Sequence, residues 1–192
     1  MIAIVKYNAG NIRSVQNALT RLGYDSEVTD DPLKIQSAEK VIFPGVGEAS
    51  SAMKHITERG LDEVIKNLKQ PVLGICLGLQ LMCANSEEGE TKCLGIFDNE
   101  VKKFQGNELI PQMGWNELTD LKGDLFTDVK PFSDVYFVHS YFANVNQNTI
   151  ATCNYIQPFS AAIQKNNFYA TQFHPEKSAS IGEQILINFL NL

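Results

Sequence analysis

The chain lacks most of the features that declare a membrane, nucleic-acid or metal-dependent protein. None of its 192 residues fall in an apolar run approaching the ~20 that a membrane-spanning helix needs. The opening Ile2-Ala3-Ile4-Val5 is broken at once by Lys6 and is too short for the core of a signal peptide. No cluster of Lys and Arg stands out among 16 basic residues set against 22 acidic ones, so a nucleic-acid partner has no electrostatic footprint. The net charge of −6 favours solubility and points to no particular partner. Only four cysteines occur, at 76, 83, 93 and 153, with neither a CxxC pair nor zinc-ligand spacing among them. The expectation is a cytoplasmic protein with reduced thiols, without metal or cofactor. No P-loop, no GxGxxG fingerprint, no repeat and no linker is visible, so residues 1–192 read as one domain with a core of ordinary size.

What is present is alternation. Ile2 to Tyr7 reads as a buried strand. After the turn Asn8-Ala9-Gly10-Asn11, apolar residues recur at Ile12, Val15, Ala18, Leu19 and Leu22, one face of a helix that Gly23 is placed to end. Glu27-Val28 is a short second strand closed by Asp30-Asp31-Pro32. Lys40 to Phe43 is a third, stopped by Pro44-Gly45. Two helical stretches flank Gly60, the second with Leu61, Val64, Ile65 and Leu68 on one face. Pro71 to Ile75 is a fourth strand whose composition buries it on both faces. From Ile96 to Phe173 strands and turns dominate, including a strand from Asp134 to Phe142 and a hairpin at Asn166-Asn167. Ser180-x-x-Glu183 reads as a capping box for a last helix carrying Ile185, Leu186, Phe189 and Leu190. This order predicts an α/β protein: a three-layer α/β/α domain with a mostly parallel central sheet and an added antiparallel strand region in the second half.

Chemistry gathers at Gly74-Ile75-Cys76-Leu77-Gly78, between the strongest strand and a helical segment. This is a G-x-nucleophile-x-G elbow with cysteine in the serine position. The tight turn lifts the side chain out of the sheet in a strained conformation, and the paired glycines remove side chains that would strike neighbouring backbone. The helix start favours thiolate over thiol, and the Leu77 amide faces the position where an oxyanion would form. Sites in open α/β sheets lie at such strand ends. Cys83, Cys93 and Cys153 lack this context and read as small core residues.

A thiolate engaged in acyl transfer needs an acid/base group held by a third residue. Three histidines are available. His55 lies in a helical, partly charged stretch and reads as a surface residue. His139 ends an apolar strand and reaches towards the mouth of the sheet. His174 follows the strand Tyr169 to Phe173 and opens His174-Pro175-Glu176, where proline stiffens the spacing between imidazole and carboxylate. Geometry ranks His174 ahead of His139.

Together these motifs resemble those of the class I (triad) glutamine amidotransferase family. The resemblance rests on Gly74-Ile75-Cys76-Leu77-Gly78-Leu79-Gln80 and on the late His174-Pro175-Glu176, about a hundred residues apart, and it covers nearly the whole chain. It implies a flavodoxin-like sheet, glutamine as substrate, and a thioester on Cys76 with His174 as acid/base and Glu176 orienting it. It also implies an oxyanion hole from the Leu77 amide and an amide of the Pro44-to-Gly47 segment, at Val46 or Gly47. Gly47, Gln80, Glu88 and the backbone of Ser140 and Tyr141 would bind substrate, with Glu87 the neighbouring alternative to Glu88. Tyr7-Asn8-Ala9-Gly10-Asn11, Pro44-Gly45-Val46-Gly47, Pro111-Gln112-Met113-Gly114-Trp115-Asn116 and Val138-His139-Ser140-Tyr141 narrow the resemblance to members serving a (β/α)₈-barrel cyclase that builds an imidazole ring. A heterodimer is implied, with Ala9, Asn11, Trp115, Tyr136 and Lys177 at its interface. Rival readings are a glutaminase serving another synthase, a stand-alone γ-glutamyl hydrolase, and a non-enzymatic binding module.

Overall fold

The computed structural model describes residues 1–192. The first half runs β1 (Ile2–Val5), α1 (Ile12–Arg21), β2 (Ser26–Thr29), α2 (Pro32–Ser37), β3 (Lys40–Gly45), α3 (Ala49–Glu58), α4 (Leu61–Lys66), β4 (Val72–Cys76) and α5 (Leu77–Met82). The second half runs through β5 (Asn85–Ser86), β6 (Thr91–Lys92), β7 (Glu100–Lys103), β8 (Gln112–Glu117), β9 (Asp134–His139), β10 (Tyr141–Ala143), β11 (Thr149–Asn154), β12 (Pro158–Lys165) and β13 (Phe168–Thr171) to α6 (Ala179–Leu190).

Seven strands form the central sheet in the order β11-β12-β13-β4-β3-β1-β2. The pairs joining β2, β1, β3, β4 and β13 are parallel; β12 and β11 extend the sheet antiparallel. Every residue of β1, β4 and β13 is buried, as strands covered on both faces require. Alternation along those strands divides the core in two. Ile2, Ile4, Ile42, Leu73 and Ile75 face Val15, Leu19, Ile185 and Phe189 of α1 and α6. Ala3, Val5, Val41, Phe43 and Val72 face Ile35, Ile56, Leu61 and Ile65 of α2, α3 and α4. The fold is the expected three-layer, flavodoxin-like α/β/α arrangement. Two further sheets, β10-β7-β5-β6 and the β8-β9 pair, make up the rest of the strand content.

Several local expectations need correction. The third strand is not stopped by Pro44-Gly45: both residues continue it, pairing with Ile75 and Cys76. The register of β1 on β3 ends at Ile42, so Pro44 sits where no ladder partner on that side asks for its missing N–H. Asp31-Pro32 does more than close a strand, because Asp31 caps α2 by accepting from the Leu33 amide at 2.9 Å and Pro32 takes the first helical turn. The strand expected from Asp134 to Phe142 is two strands in two sheets, broken at Ser140. The capping box at Ser180 does not form: α6 begins at Ala179, with Ser178 at the N-cap position and no side-chain capping bond. The hairpin at Asn166-Asn167 joins β12 to β13 through a two-residue turn, with Lys165 opposite Phe168.

Candidate active site

Cys76 ends β4 with φ 54° and ψ −107°. A positive φ at a residue carrying a Cβ stores strain of about 1–3 kcal/mol, which the surroundings must hold. The surroundings are tight. A Cβ on Gly78 would lie 1.8 Å from the Phe43 carbonyl oxygen, and one on Gly74 would meet Met82, Ala170 and Gly78 at 2.9–3.1 Å. The glycines therefore let α5 lie directly against β3 and β4, and that contact sets the turn bearing the thiol.

The neighbouring strand supplies the partners. β13 runs parallel to β4, with Thr171 opposite Ile75, and the chain leaving it carries Gln172 and His174. The His174 backbone is clamped: its N–H donates to the Tyr136 carbonyl at 2.9 Å, and its carbonyl accepts from the Ser178 hydroxyl at 2.7 Å. That commitment explains why Ser178 leaves α6 uncapped. His174 and Glu176 side chains are both fully buried, with Nδ1 and Oε1 2.8 Å apart. Burial alone pushes the His174 imidazole down, but the Cys76 sulfur and then the Glu176 carboxylate outweigh it and carry it up to about 10. The sulfur and the carboxylate on either side favour the protonated imidazole. His174 Nε2 has no oxygen or nitrogen partner.

In front of the sulfur lies a cavity of about 300 Å³. Val46, Gly47, Cys76, Leu77, Gln80, Glu88, Ser140 and Tyr141 all line it, together with Pro111, Val138 and His139. His174 and Glu176 lie behind Cys76 and do not line it. The Val46 carbonyl accepts from Gly10 N–H at 3.3 Å, so the trans peptide turns the Gly47 N–H the opposite way. Of the adjacent acids only Glu88 reaches the cavity. Its Oε2 accepts from the Ala49 amide at 2.8 Å, whereas Glu87 accepts from the Lys103 amide at 2.7 Å. Burial raises the Glu88 carboxyl, and the Glu48 carboxylate adds to that. The Glu88 carboxylate at one end of the cavity suits a cationic group.

Asn11 and Gln172 take places that the sequence did not assign, whereas His139 reaches the mouth of the sheet as expected. Asn11, expected at an interface, turns its amide inward: it donates to Glu176 Oε1, with His174 Nδ1 at 3.2 Å. It is held there in a left-handed conformation at the start of α1. His139 is buried, its Nδ1–H donating to the Tyr141 carbonyl at 2.7 Å; burial lowers it to about 4, so it is a neutral imidazole. Gln172 is fully buried and places Nε2 3.7 Å from the Cys76 sulfur. A polar side chain inside the apolar run Tyr169 to Phe173 is the sequence signal that marks it. His55, by contrast, is half-buried on α3, beside Arg59 and Asp30 and away from the thiol.

On the surface, Trp115 is 51% exposed rather than packed in the core. It meets Tyr136 edge-on at 5.9 Å, and Lys177 Nζ stands 6.0 Å above the same tyrosine ring. Ala9 is half-buried at the edge of the second core cluster.

Residues 3–192 match the family described as "Glutamine amidotransferase class-I". Among similar sequences, the "Imidazole glycerol phosphate synthase subunit HisH" of Bacteroides fragilis is 58% identical over 100% of this chain and 99% of its own length. The protein of the same name from Pasteurella multocida is 48% identical, over 98% and 96%. The one from Vibrio cholerae is 46% identical, over 100% and 98%. Among solved structures, a glutamine amidotransferase superposes with a TM-score of 0.77 at 16% identity, covering 99% of this chain and 97% of the other. PurLQS from Thermotoga maritima superposes at 0.69 and 16%, with the same coverage. At such identities these two likenesses concern the fold.

Proposed function

The chain belongs to the class-I glutamine amidotransferase family, and from that membership we propose that it is the glutaminase subunit of imidazole glycerol phosphate synthase. In this reading it is a cytoplasmic enzyme of histidine biosynthesis that works as a heterodimer with a (β/α)₈-barrel cyclase. The observation that carries the reaction is the Cys76–His174–Glu176 line behind a cavity lined by Gln80 and Glu88.

The steps follow from the positions. The Cys76 sulfur attacks the carboxamide carbon of glutamine. Negative charge gathers on the former carbonyl oxygen, where the Leu77 amide and one of the Val46 and Gly47 amides donate; losing one such donor costs about 10²–10³ in rate. The C–N bond then breaks as His174 delivers its proton to the leaving nitrogen, giving ammonia and a glutamyl thioester. Water, deprotonated by His174, attacks the thioester and releases glutamate, and the proton returns to the imidazole. Glu176 keeps Nδ1 protonated so that Nε2 does the work. The substrate's ammonium group meets Glu88 and Gln80, and its carboxylate meets the backbone at Ser140 and Tyr141.

Ammonia in water is protonated and stops being a nucleophile, so a subunit of this kind gains from docking on its consumer. The surface proposed for the cyclase is exposed Trp115 and Lys177 with half-buried Tyr136 between them; Asn11 and Ala9, expected beside it, are half-buried, and the Asn11 amide turns inward. The test measures glutamate release by the chain alone, with the cyclase, and with the cyclase and its ribotide ligand. Release is expected to be slight alone and to rise strongly with both additions, and Cys76→Ser is expected to abolish it in every arm. Full activity from the lone chain would sink the coupling to a partner.

A further inference from the structure

We propose that Gln172 is a positioning residue that donates an N–H to the Cys76 sulfur, and that Gln80 and the Tyr141 carbonyl dictate which way its amide faces. The inference rests on Cys76 being the nucleophile. It begins at Tyr141, whose carbonyl oxygen can only accept. That oxygen lies 2.7 Å from His139 Nδ1 and 2.9 Å from an amide atom of Gln80, so the Gln80 atom is nitrogen and donates. The same Gln80 nitrogen has a second hydrogen, and the atom of Gln172 3.1 Å away must therefore be oxygen. Gln172 has one oxygen and one nitrogen. With its oxygen committed to Gln80, its nitrogen faces the sulfur at 3.7 Å, an ordinary N–H···S separation.

Turning Gln80 over would set acceptor against acceptor, and turning Gln172 over would set donor against donor, in a buried place, at about 1–3 kcal/mol for each group left unpaired. The orientation is thus determined by backbone three links away and not by the sulfur. Its chemical consequence falls on the sulfur, because a donor steadies a negative atom and an acceptor opposes it. The Cys76 thiol itself reaches only the Val138 carbonyl, at 3.9 Å. Gln172 does not line the cavity, and its Nε2 bonds to the sulfur alone. It acts through Cys76, by holding the sulfur where it stands and by favouring its attacking form. The chain of bonds ends on the Tyr141 carbonyl, within the stretch whose backbone N–H groups would receive the substrate carboxylate.

The experiment follows alkylation of Cys76 by iodoacetamide across a range of about pH 5–9 in the full chain, reading the mass of the Cys76 peptide so that the other, buried thiols do not count. With the cyclase present, kcat and KM for glutamine are measured beside it. Gln172→Met keeps the bulk and removes the donor. It is expected to move the alkylation midpoint up by about one pH unit, lower kcat about tenfold and leave KM within twofold, the size of one hydrogen bond to a charged atom. Gln172→Glu, which places a carboxylate on the sulfur, is expected to move the midpoint further in the same direction. A wild-type midpoint in Gln172→Met overturns the proposal. A second reading needs no variant: in the native chain labelled with ¹⁵N-glutamine, the Gln172 side-chain amide signal is expected to shift when Cys76 is alkylated, and an unmoved signal overturns it equally. Wild-type Cys76 that resists iodoacetamide at every pH would instead sink the nucleophile assignment, and the relay with it.

Discussion

Two histidines that are ordinary in the sequence become opposites once folded. His139 is lowered from 6.5 to about 4 and His174 is raised from 6.5 to about 10. For His139 the folded chain binds the proton more weakly than the unfolded chain. Its contribution to stability is therefore complete above about pH 6.5 and lost as pH falls towards 4, about 3 kcal/mol in all. For His174 the sign reverses: the contribution is complete below about pH 6.5 and lost as pH rises towards 10. Urea unfolding followed from acid to alkaline pH should accordingly peak near 6.5. His139→Gln should flatten the acid limb. Cys76→Ser, which removes the sulfur that lifts His174, should flatten the alkaline one. Neither value was legible in the chain, because each is set by residues distant in sequence: Phe104 and Phe159 around His139, and Cys76 beside His174. Asn11 escaped for the same reason. Its role needs Glu176, 165 positions away.

At the level of elements, periodicity and turn chemistry carried well wherever the physics was local. The helix through Val15 and Leu19, the αL glycine at Gly60 and the Asn166-Asn167 hairpin are all present. Where a distant element had a claim on the backbone, local signals misled. Ser180-x-x-Glu183 has capping-box spacing, yet α6 starts at Ala179 because Ser178 is committed to β9 and to His174. The run Asp134 to Phe142 looks continuous, yet Ser140 divides it between two sheets, and that break brings His139, Ser140 and Tyr141 to the cavity. The elbow is the element with least tolerance. Gly78→Ala would push a methyl into the Phe43 carbonyl at 1.8 Å, which neither backbone can yield without moving α5. It should destabilise the fold by about 3 kcal/mol or more and disable the thiol. Thermal unfolding and iodoacetamide labelling of Cys76 check the two effects separately.

For the molecule as a whole, the three-layer architecture was plain from the order of strands and helices, since composition alone marked β1 and β4 as buried on both faces. The exposed patch was not legible in pattern or composition, because nothing there distinguishes a tryptophan bound for the core from one left on the surface; only the family resemblance set Trp115, Tyr136 and Lys177 at an interface. Trp115 at 51% exposure, backed by Tyr136 and Lys177, is an aromatic anchor with no cover in the lone chain. Trp115→Ala should weaken the complex with the cyclase by about 2 kcal/mol, roughly thirtyfold in Kd, and leave the unfolding curve of the free chain nearly unchanged. Isothermal titration and urea unfolding would measure the pair.

The placement of β13 has a consequence in time as well as space. β4 and the elbow are complete by residue 78, but their partner strand, His174 and Glu176 arrive only with residues 168–176, and β13 must enter between β12 and β4. At ribosomal speeds of about 5–20 residues per second, the thiol waits several seconds for the imidazole that completes it. With the roles proposed above, a nascent or prematurely ended chain carries a nucleophile without its proton donor and releases no ammonia. Synthesis itself keeps the half-made enzyme silent.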